Sequence, residues 1–143
     1  YMLEDELHFL LLRGFHYSNK AIIQQIDSLR LLPGQPKILE YLRSHDGAVA
    51  KAIGEACVLD KSTVTSLISR MEKQGLIRRE EHESDRRSAY IFLTDEGRRC
   101  AEEVSKVCLS VDGLAFKGIS EEERARFVKT FQSVISNFKE VIE

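Results

Sequence analysis

Residues 60–94 read DKSTVTSLISRMEKQGLIRREEHESDRRSAYIFLT, and they combine a helix, a stop and two strands. Asp60 is a good N-cap because its carboxylate accepts the free amide hydrogens of a first helical turn. The apolar residues that follow have helical spacing: Val64, Leu67, Ile68 and Met71. Gly75 suits the position just past a helix, where φ is positive. We therefore predict an amphipathic helix between Asp60 and Gly75.

The other face of this helix carries small hydroxyl side chains near its start and cations near its end. Small side chains let a helix approach a groove floor or a phosphate closely. The nucleic-acid contacts predicted on this face are Ser62, Thr63, Thr65, Ser66 and Arg70. Arg70 suits either a bidentate pair with guanine or a phosphate contact. The β-branched Thr65 suits capping or packing equally well.

Two strands and a charged turn follow the helix. The strands are residues 76–79 and 89–93, the second being rich in β-branched and aromatic residues. The turn at residues 80–88 has no apolar residue, which fits a solvated hairpin tip. Arginine at such a tip also suits the minor groove of DNA, where narrow walls concentrate negative potential. The contacts predicted for this wing are Arg87, its orienting ion-pair partner Asp85, and Arg86.

Helical patterns lie on both sides of this stretch. Residues 2–31 carry an apolar stripe and are predicted to form one long helix, and Pro36 fits the first turn of the next. A short helix at residues 48–57 and the tight turn after it complete a helix-turn-helix unit. Thr94 and Ser120 are N-caps of two further helices. The apolar stripes of the first and last helices fit packing within one monomer or, as we favour, a two-fold dimer.

The order and spacing of these motifs resemble the winged helix-turn-helix of the MarR family of bacterial transcriptional regulators. The resemblance is carried by four groups of residues: 62–65, 70–77, 85–87 and 93–97. It implies a mainly α fold with a small β-wing. It also implies dimerisation helices at residues 1–31 and 98–143, around a DNA-binding lobe at residues 32–97.

The same resemblance implies a function. The implied function is that of a sequence-specific regulator, which binds a palindromic operator in double-stranded DNA as a homodimer. The regulator would be a repressor that a small phenolic or other anionic effector releases from the DNA. Members of the family often bind such compounds in a crevice between the dimer helices and the DNA-binding lobe. The candidate residues for that crevice are Arg13, His16, Tyr17, Tyr41 and His45. His16 and Tyr17 fit a subunit interface better. Redox-sensing members typically place a reactive cysteine in the first helix, whereas the first cysteine here is Cys57, which argues against peroxide sensing.

Charge and hydropathy limit the alternatives. The net charge of −2 argues mildly against nucleic-acid binding, although residues 60–90 hold seven Lys and Arg against six Asp and Glu. No apolar run approaches the roughly 20 residues of a membrane span. No secretory signal is recognisable at the start of the sequence. We therefore expect a cytoplasmic protein that engages no membrane.

The chemistry-bearing residues do not form a catalytic or metal-binding pattern. The three cysteines and four histidines lack metal-ligand spacing, and the cysteines fit core or interface positions better than sensors. The sequence has no nucleophile elbow, phosphate loop or HExxH motif. No metal, cofactor or enzymatic activity is therefore predicted. The alternative to a DNA-binding regulator is a winged-helix module used for protein–protein assembly without DNA binding.

Overall fold

Six α-helices and a three-stranded antiparallel sheet make up the part of the chain that the structure describes. The structure, a computed structural model, describes residues 2–82 and 85–143, and for residues 82 and 85–88 it describes the backbone only. The helices are α1 (Leu7–Ile26), α2 (Gln35–Ser44), α3 (Ala50–Cys57), α4 (Lys61–Lys73), α5 (Asp95–Ala115) and α6 (Glu121–Ile142). The strands are β1 (Ala48–Val49), β2 (Ile77–His82) and β3 (Asp85–Leu93), in the sheet order β1–β3–β2. The predicted mainly helical fold with a small β-wing is confirmed.

The sheet is larger than the sequence pattern predicted. β2 and β3 pair from Ile77 opposite Leu93 to His82 opposite Asp85, so charged residues assigned to the turn belong to the strands. The backbone hydrogen bonds between β2 and β3 form without any need for apolar side chains. The alternation of apolar residues therefore predicted strands that were too short. The predicted helix at residues 48–57 is wrong in its first two residues, because Ala48 and Val49 pair with β3 instead.

The predicted single helix at residues 2–31 is wrong at both ends. Leu3–Asp5 and Asp27–Leu29 are short 3₁₀ turns, and Glu6 between the first of them and α1 is extended. Arg30 adopts a left-handed conformation with φ of 54°. The apolar stripe continues through this region because Leu29 and Leu31 pack against the core, although the backbone there is no longer α-helical.

The chain divides into two compact units, one ending at Leu109 and the other covering Ser110–Glu143. In the first unit, α2, α3, α4, the sheet and part of α5 share one core. Its most deeply buried apolar side chains come from all of these elements: Ile38, Leu39, Leu42, Ile53, Met71, Ile77, Ile91, Ala101 and Val104. In the second unit, the Phe127 ring contacts those of Phe116 and Phe131 at 5.8 and 5.7 Å between ring centroids.

Asp46, in the turn between α2 and β1, joins three elements of the first unit. Its Oδ1 accepts a hydrogen bond from the amide of Leu93 at 2.8 Å, and its Oδ2 accepts one from the Arg98 guanidinium at 2.8 Å. The predicted caps are also present. Thr94 Oγ1 accepts from the amide of Gly97, and Ser120 Oγ accepts from the amide of Glu123. These contacts fix where α5 and α6 begin.

Candidate nucleic-acid interface

The start of α4 is fixed by Asp60. Its Oδ1 accepts hydrogen bonds from the Thr63 amide at 2.8 Å and from the Ser62 hydroxyl at 2.9 Å. The Thr63 amide, followed by the hydroxyls of Thr63 and Ser62, holds the pKa of the Asp60 carboxyl below its usual range. An ionised carboxylate at a helix N-terminus is also favoured by the helix dipole. The predicted cap is confirmed, and so is the stop at Gly75, whose φ is 78°.

One face of α4 is buried and therefore fixes the direction of the other. Val64, Leu67, Ile68 and Met71 are all buried in the core of the first unit. With those four side chains packed inward, the helix cannot rotate about its own axis without exposing apolar surface. The polar residues between them are consequently held on the outside.

The outer face of α4 is a shallow concavity of about 880 Å³. Its lining residues are Asp60, Lys61, Ser62, Thr65, Ser66, Ser69, Arg70 and Lys73. Four of the five predicted helix contacts are brought together here, while Thr63 is half-buried. Thr65 is exposed, and its hydroxyl donates to the carbonyl oxygen of Lys61 at 2.9 Å. Three further residues of this face, Lys61, Ser69 and Lys73, were not among the predicted contacts, although their spacing from Thr65 and Ser66 places them on the same helical face.

The cations on this face differ from those beside it. Among the residues that the structure describes, Lys61, Arg70 and Lys73 make no ion pair. In β2, by contrast, Arg78 contacts Glu80 at 3.1 Å and Arg79 contacts Glu72 at 3.3 Å. Within the described part of the chain, the face of α4 thus offers three cations without ion pairs, beside a row of small hydroxyl groups and the capping carboxylate of Asp60.

The wing residues are placed only by their backbone. Asp85, Arg86 and Arg87 lie at the start of β3, next to the hairpin end where His82 pairs with Asp85. Their side chains lie outside the described part of the chain. The predicted contacts of Arg86 and Arg87, and the predicted ion pair of Asp85, therefore stay predictions.

The five candidate effector residues fall into two groups. On α1, the Arg13 guanidinium lies 5.4 Å from the centroid of the Tyr17 ring, and His16 contacts that ring edge-on at 5.0 Å. On α2, the rings of Tyr41 and His45 are stacked with their centroids 4.4 Å apart. Tyr41 also lines a cavity of about 810 Å³.

A second cavity, of about 330 Å³, lies between α1 and the start of α2. Its lining includes Phe15, Ile22, Ile26, Pro36 and Cys108. None of these was predicted as a site residue, because apolar residues at helical spacing look the same whether they line a cavity or fill a core. Lys37 lines both cavities, and its Nζ lies 5.6 Å from the Phe15 ring centroid.

The cysteines Cys57 and Cys100 are unsuited to a thiolate role. Burial raises the pKa of the Cys57 thiol, and burial together with the nearby Glu96 raises the pKa of the Cys100 thiol. A thiol with a raised pKa is largely protonated at neutral pH and is a weak nucleophile. Both residues instead contribute to the core, Cys57 as a buried member and Cys100 at its edge.

The terminal helices expose apolar side chains. On α1 the exposed group is Leu7, Leu10, Leu12, Phe15, Tyr17 and Ile23, with Phe15 62% exposed, and only Ile26 is buried. On α6 the exposed group is Phe127, Val128, Ile135, Phe138, Val141 and Ile142, and no residue is buried. Apolar stripes of this size are typical of interaction surfaces.

The described residues form neither a metal site nor a membrane-spanning helix. They contain no group of three or more His, Cys, Asp or Glu placed to hold a metal ion. None of the described helices is both long and apolar enough to cross a membrane.

Comparisons with known proteins agree with this geometry. The sequence model of the MarR family matches residues 31–89. The organic hydroperoxide resistance transcriptional regulator of Bacillus subtilis is 34% identical over 113 residues, which cover 79% of this chain and 77% of that protein. A MarR-family transcriptional regulator from Silicibacter pomeroyi has a similar structure, with a TM-score of 0.85, 26% identity and coverage of 95% of this chain and 92% of that one. CouR from Rhodococcus jostii RHA1, solved bound to p-coumaroyl-CoA, has a TM-score of 0.80 and 27% identity, with coverage of 93% and 94%.

Proposed function

The chain belongs to the MarR family of transcriptional regulators, and on that premise we propose that α4 is the recognition helix of a homodimer that binds a palindromic operator in double-stranded DNA. The observation that carries the proposal is the outer face of α4, where small hydroxyls adjoin three cations without ion pairs among the described residues. Such a face approaches phosphates closely and leaves its charges available to them. We propose the major groove of DNA as its binding site.

In this arrangement each side chain has a separate task. Ser62, Thr63, Thr65 and Ser66 lie near the N-terminal end of α4, where small groups and backbone amides meet base edges or phosphates. Arg70, two turns further along, reads guanine through two hydrogen bonds or holds a phosphate. In the wing, Arg87 enters the minor groove, with Asp85 orienting it and Arg86 beside it.

A dimer explains the exposed apolar faces of α1 and α6. We propose that residues 1–31 and 98–143 bury these faces against a second copy and so set the distance between two DNA-binding lobes, each at residues 32–97. A two-fold dimer reads two half-sites about one helical turn apart. We propose further that the protein acts in the bacterial cytoplasm, as a regulator without enzymatic activity.

We further propose that a small phenolic or other anionic compound releases this repressor from its operator. The relative CouR was solved bound to p-coumaroyl-CoA, which has both an aromatic and an anionic part. The candidate residues are Arg13, His16, Tyr17, Tyr41 and His45, whose aromatic rings and cation suit such a compound. We do not extend the hydroperoxide resistance named for the Bacillus subtilis relative to this chain. The first cysteine of residues 1–143 is Cys57, and its thiol is buried with a raised pKa.

Selection of bound duplexes from a random DNA pool tests the proposal. A palindromic consensus with half-sites about 10 base pairs apart is expected. Arg70→Gln should then relax selection at one base pair of each half-site if Arg70 reads guanine, or weaken all duplexes equally if it holds a phosphate. Lys106→Gln on α5 is the matched control and should leave the consensus unchanged. If no consensus is recovered and the binding of DNA does not change with salt concentration, a protein–protein assembly module would be favoured instead.

A further inference from the structure

Gln35, the first residue of α2, has a fully buried polar side chain in the first unit. Its Oε1 accepts a hydrogen bond from the amide of Leu32 at 3.0 Å. Its Nε2 donates to the Oε1 of Gln74 at 2.8 Å. Gln74 is the C-cap residue that directly follows α4, so this single amide joins the start of α2 to the end of the recognition helix. A buried amide is stable only while both partners remain in place.

The segment before α2, residues 31–35, also contacts the middle of α4. We call this segment the connector. Gly34 has a φ of 91°, and a Cβ at this position would lie 2.7 Å from the Cδ1 of Leu67. The connector therefore packs against α4 at Leu67 and bonds to its end at Gln74. A shift of the connector would change both the position and the tilt of α4.

The connector also borders the cavity of about 330 Å³. Leu31, Leu32, Pro33 and Gly34 contribute to its lining, together with residues of α1. That volume is at the lower end of the range for small-molecule sites. The connector thus contacts both a space that can hold a ligand and the helix proposed to contact DNA.

We propose that Gln35 is a positioning residue for DNA recognition, and that its bond to Gln74 transmits occupancy of this cavity to α4. The inference rests on the proposed function of α4 as the recognition helix. Gln35 touches neither DNA nor ligand. It sets the angle at which the hydroxyl and cationic face of α4 meets the groove of the DNA. Loss of the Gln35 amide should therefore reduce discrimination between DNA sequences more than it reduces attraction to phosphates.

The first test uses Gln74→Met, Gln35→Met and the double variant, with the duplex selected from the random pool and a scrambled duplex as probes. Gln74 is exposed, so Gln74→Met removes the acceptor while leaving every buried side chain of the core in place, and it keeps the test decisive if Gln35→Met folds poorly. We expect Gln74→Met to weaken binding of the selected duplex by about fivefold, the scale of one hydrogen bond. Affinity for the scrambled duplex should not change. The double variant should bind no more weakly than Gln35→Met alone.

The second test fills the cavity from the exposed residue Ser18 with Ser18→Phe. Weaker binding of the selected duplex is expected, with a smaller loss in the Gln74→Met background. Equal losses in both backgrounds, or no loss in either, would overturn transmission through the amide bond. If wild type discriminates between the duplexes and Gln74→Met does so equally well, the inference fails while the proposed function stands. If wild type itself does not discriminate, both fail.

Discussion

Replacing Lys73 with glutamine should make the salt dependence of operator binding less steep, because a dimer then loses about two phosphate contacts. Each protomer presents Lys61, Arg70 and Lys73 on the outer face of α4 without ion pairs among the described residues, so a dimer presents six such cations. Each neutralised phosphate of duplex DNA contributes about −0.9 to the slope of log K against log salt concentration. The two copies of α4 alone should therefore give a slope near −5. Loss of Lys73 from both should bring it to about −3.5.

Fluorescence anisotropy with a labelled operator duplex, titrated between about 50 and 300 mM salt, measures this slope. Lys106→Gln is the matched control, because Lys106 is an exposed lysine of α5 whose Nζ lies 3.3 Å from the Glu103 carboxylate. Its slope should equal that of wild type. A wild-type slope shallower than about −2 would refute contact between α4 and phosphates. An equal change in both variants would show that overall charge, and not the face of α4, controls the slope.

Three further predictions concern the wing, the turn before α4 and its cap. Arg87→Ala should weaken operator binding about tenfold while sedimentation shows an intact dimer; an unchanged affinity would remove the wing from the mechanism. Val58→Asn should raise the free energy of unfolding in urea by about 1 kcal/mol, because Val58 is left-handed with φ of 57° and 87% exposed, and asparagine tolerates that conformation; a less stable variant would contradict the strain. The lowered pKa of Asp60 means that its ionised cap stabilises the folded state above the ordinary aspartate pKa of about 3.9 and loses this effect as pH falls through the lowered value. The thermal midpoint of wild type should therefore exceed that of Asp60→Asn by more at neutral pH than in strong acid. A difference between the two midpoints that does not change with pH would count against the ionised cap.

Local signals in the sequence were sufficient for the framework around α4. Asp60, Gly75 and Thr94 were predicted from cap and turn chemistry, which depends on residues only three or four positions away. The apolar face of α4 was equally local. Contacts between distant residues were not predicted. β1 exists because Ala48 meets Ile91, and no periodicity within residues 48–57 indicates that pairing.

The same division applies to the site. The hydroxyl face of α4 was predicted because it is the complement of an apolar stripe. Lys61 and Lys73 were not predicted as contacts, because a charge near a helix end is usually a solvated residue. The structure shows that neither has an ion pair among the described residues, whereas Arg78 and Arg79 of β2 do. The bond between Gln35 and Gln74 spans 39 residues and joins two amides that carry no charge, so no sequence pattern marks it.

The two hydrogen bonds of Asp46 make one carboxylate a joint between the base of the wing and the first turn of α5. One oxygen holds the last residue of β3 and the other holds Arg98, so turning α5 about its own axis pulls on the same side chain that anchors the hairpin. The start of α5 and the base of the hairpin are consequently held by the same side chain, in addition to their shared contacts in the apolar core. Replacing Asp46 would therefore remove a hydrogen bond from both elements at once.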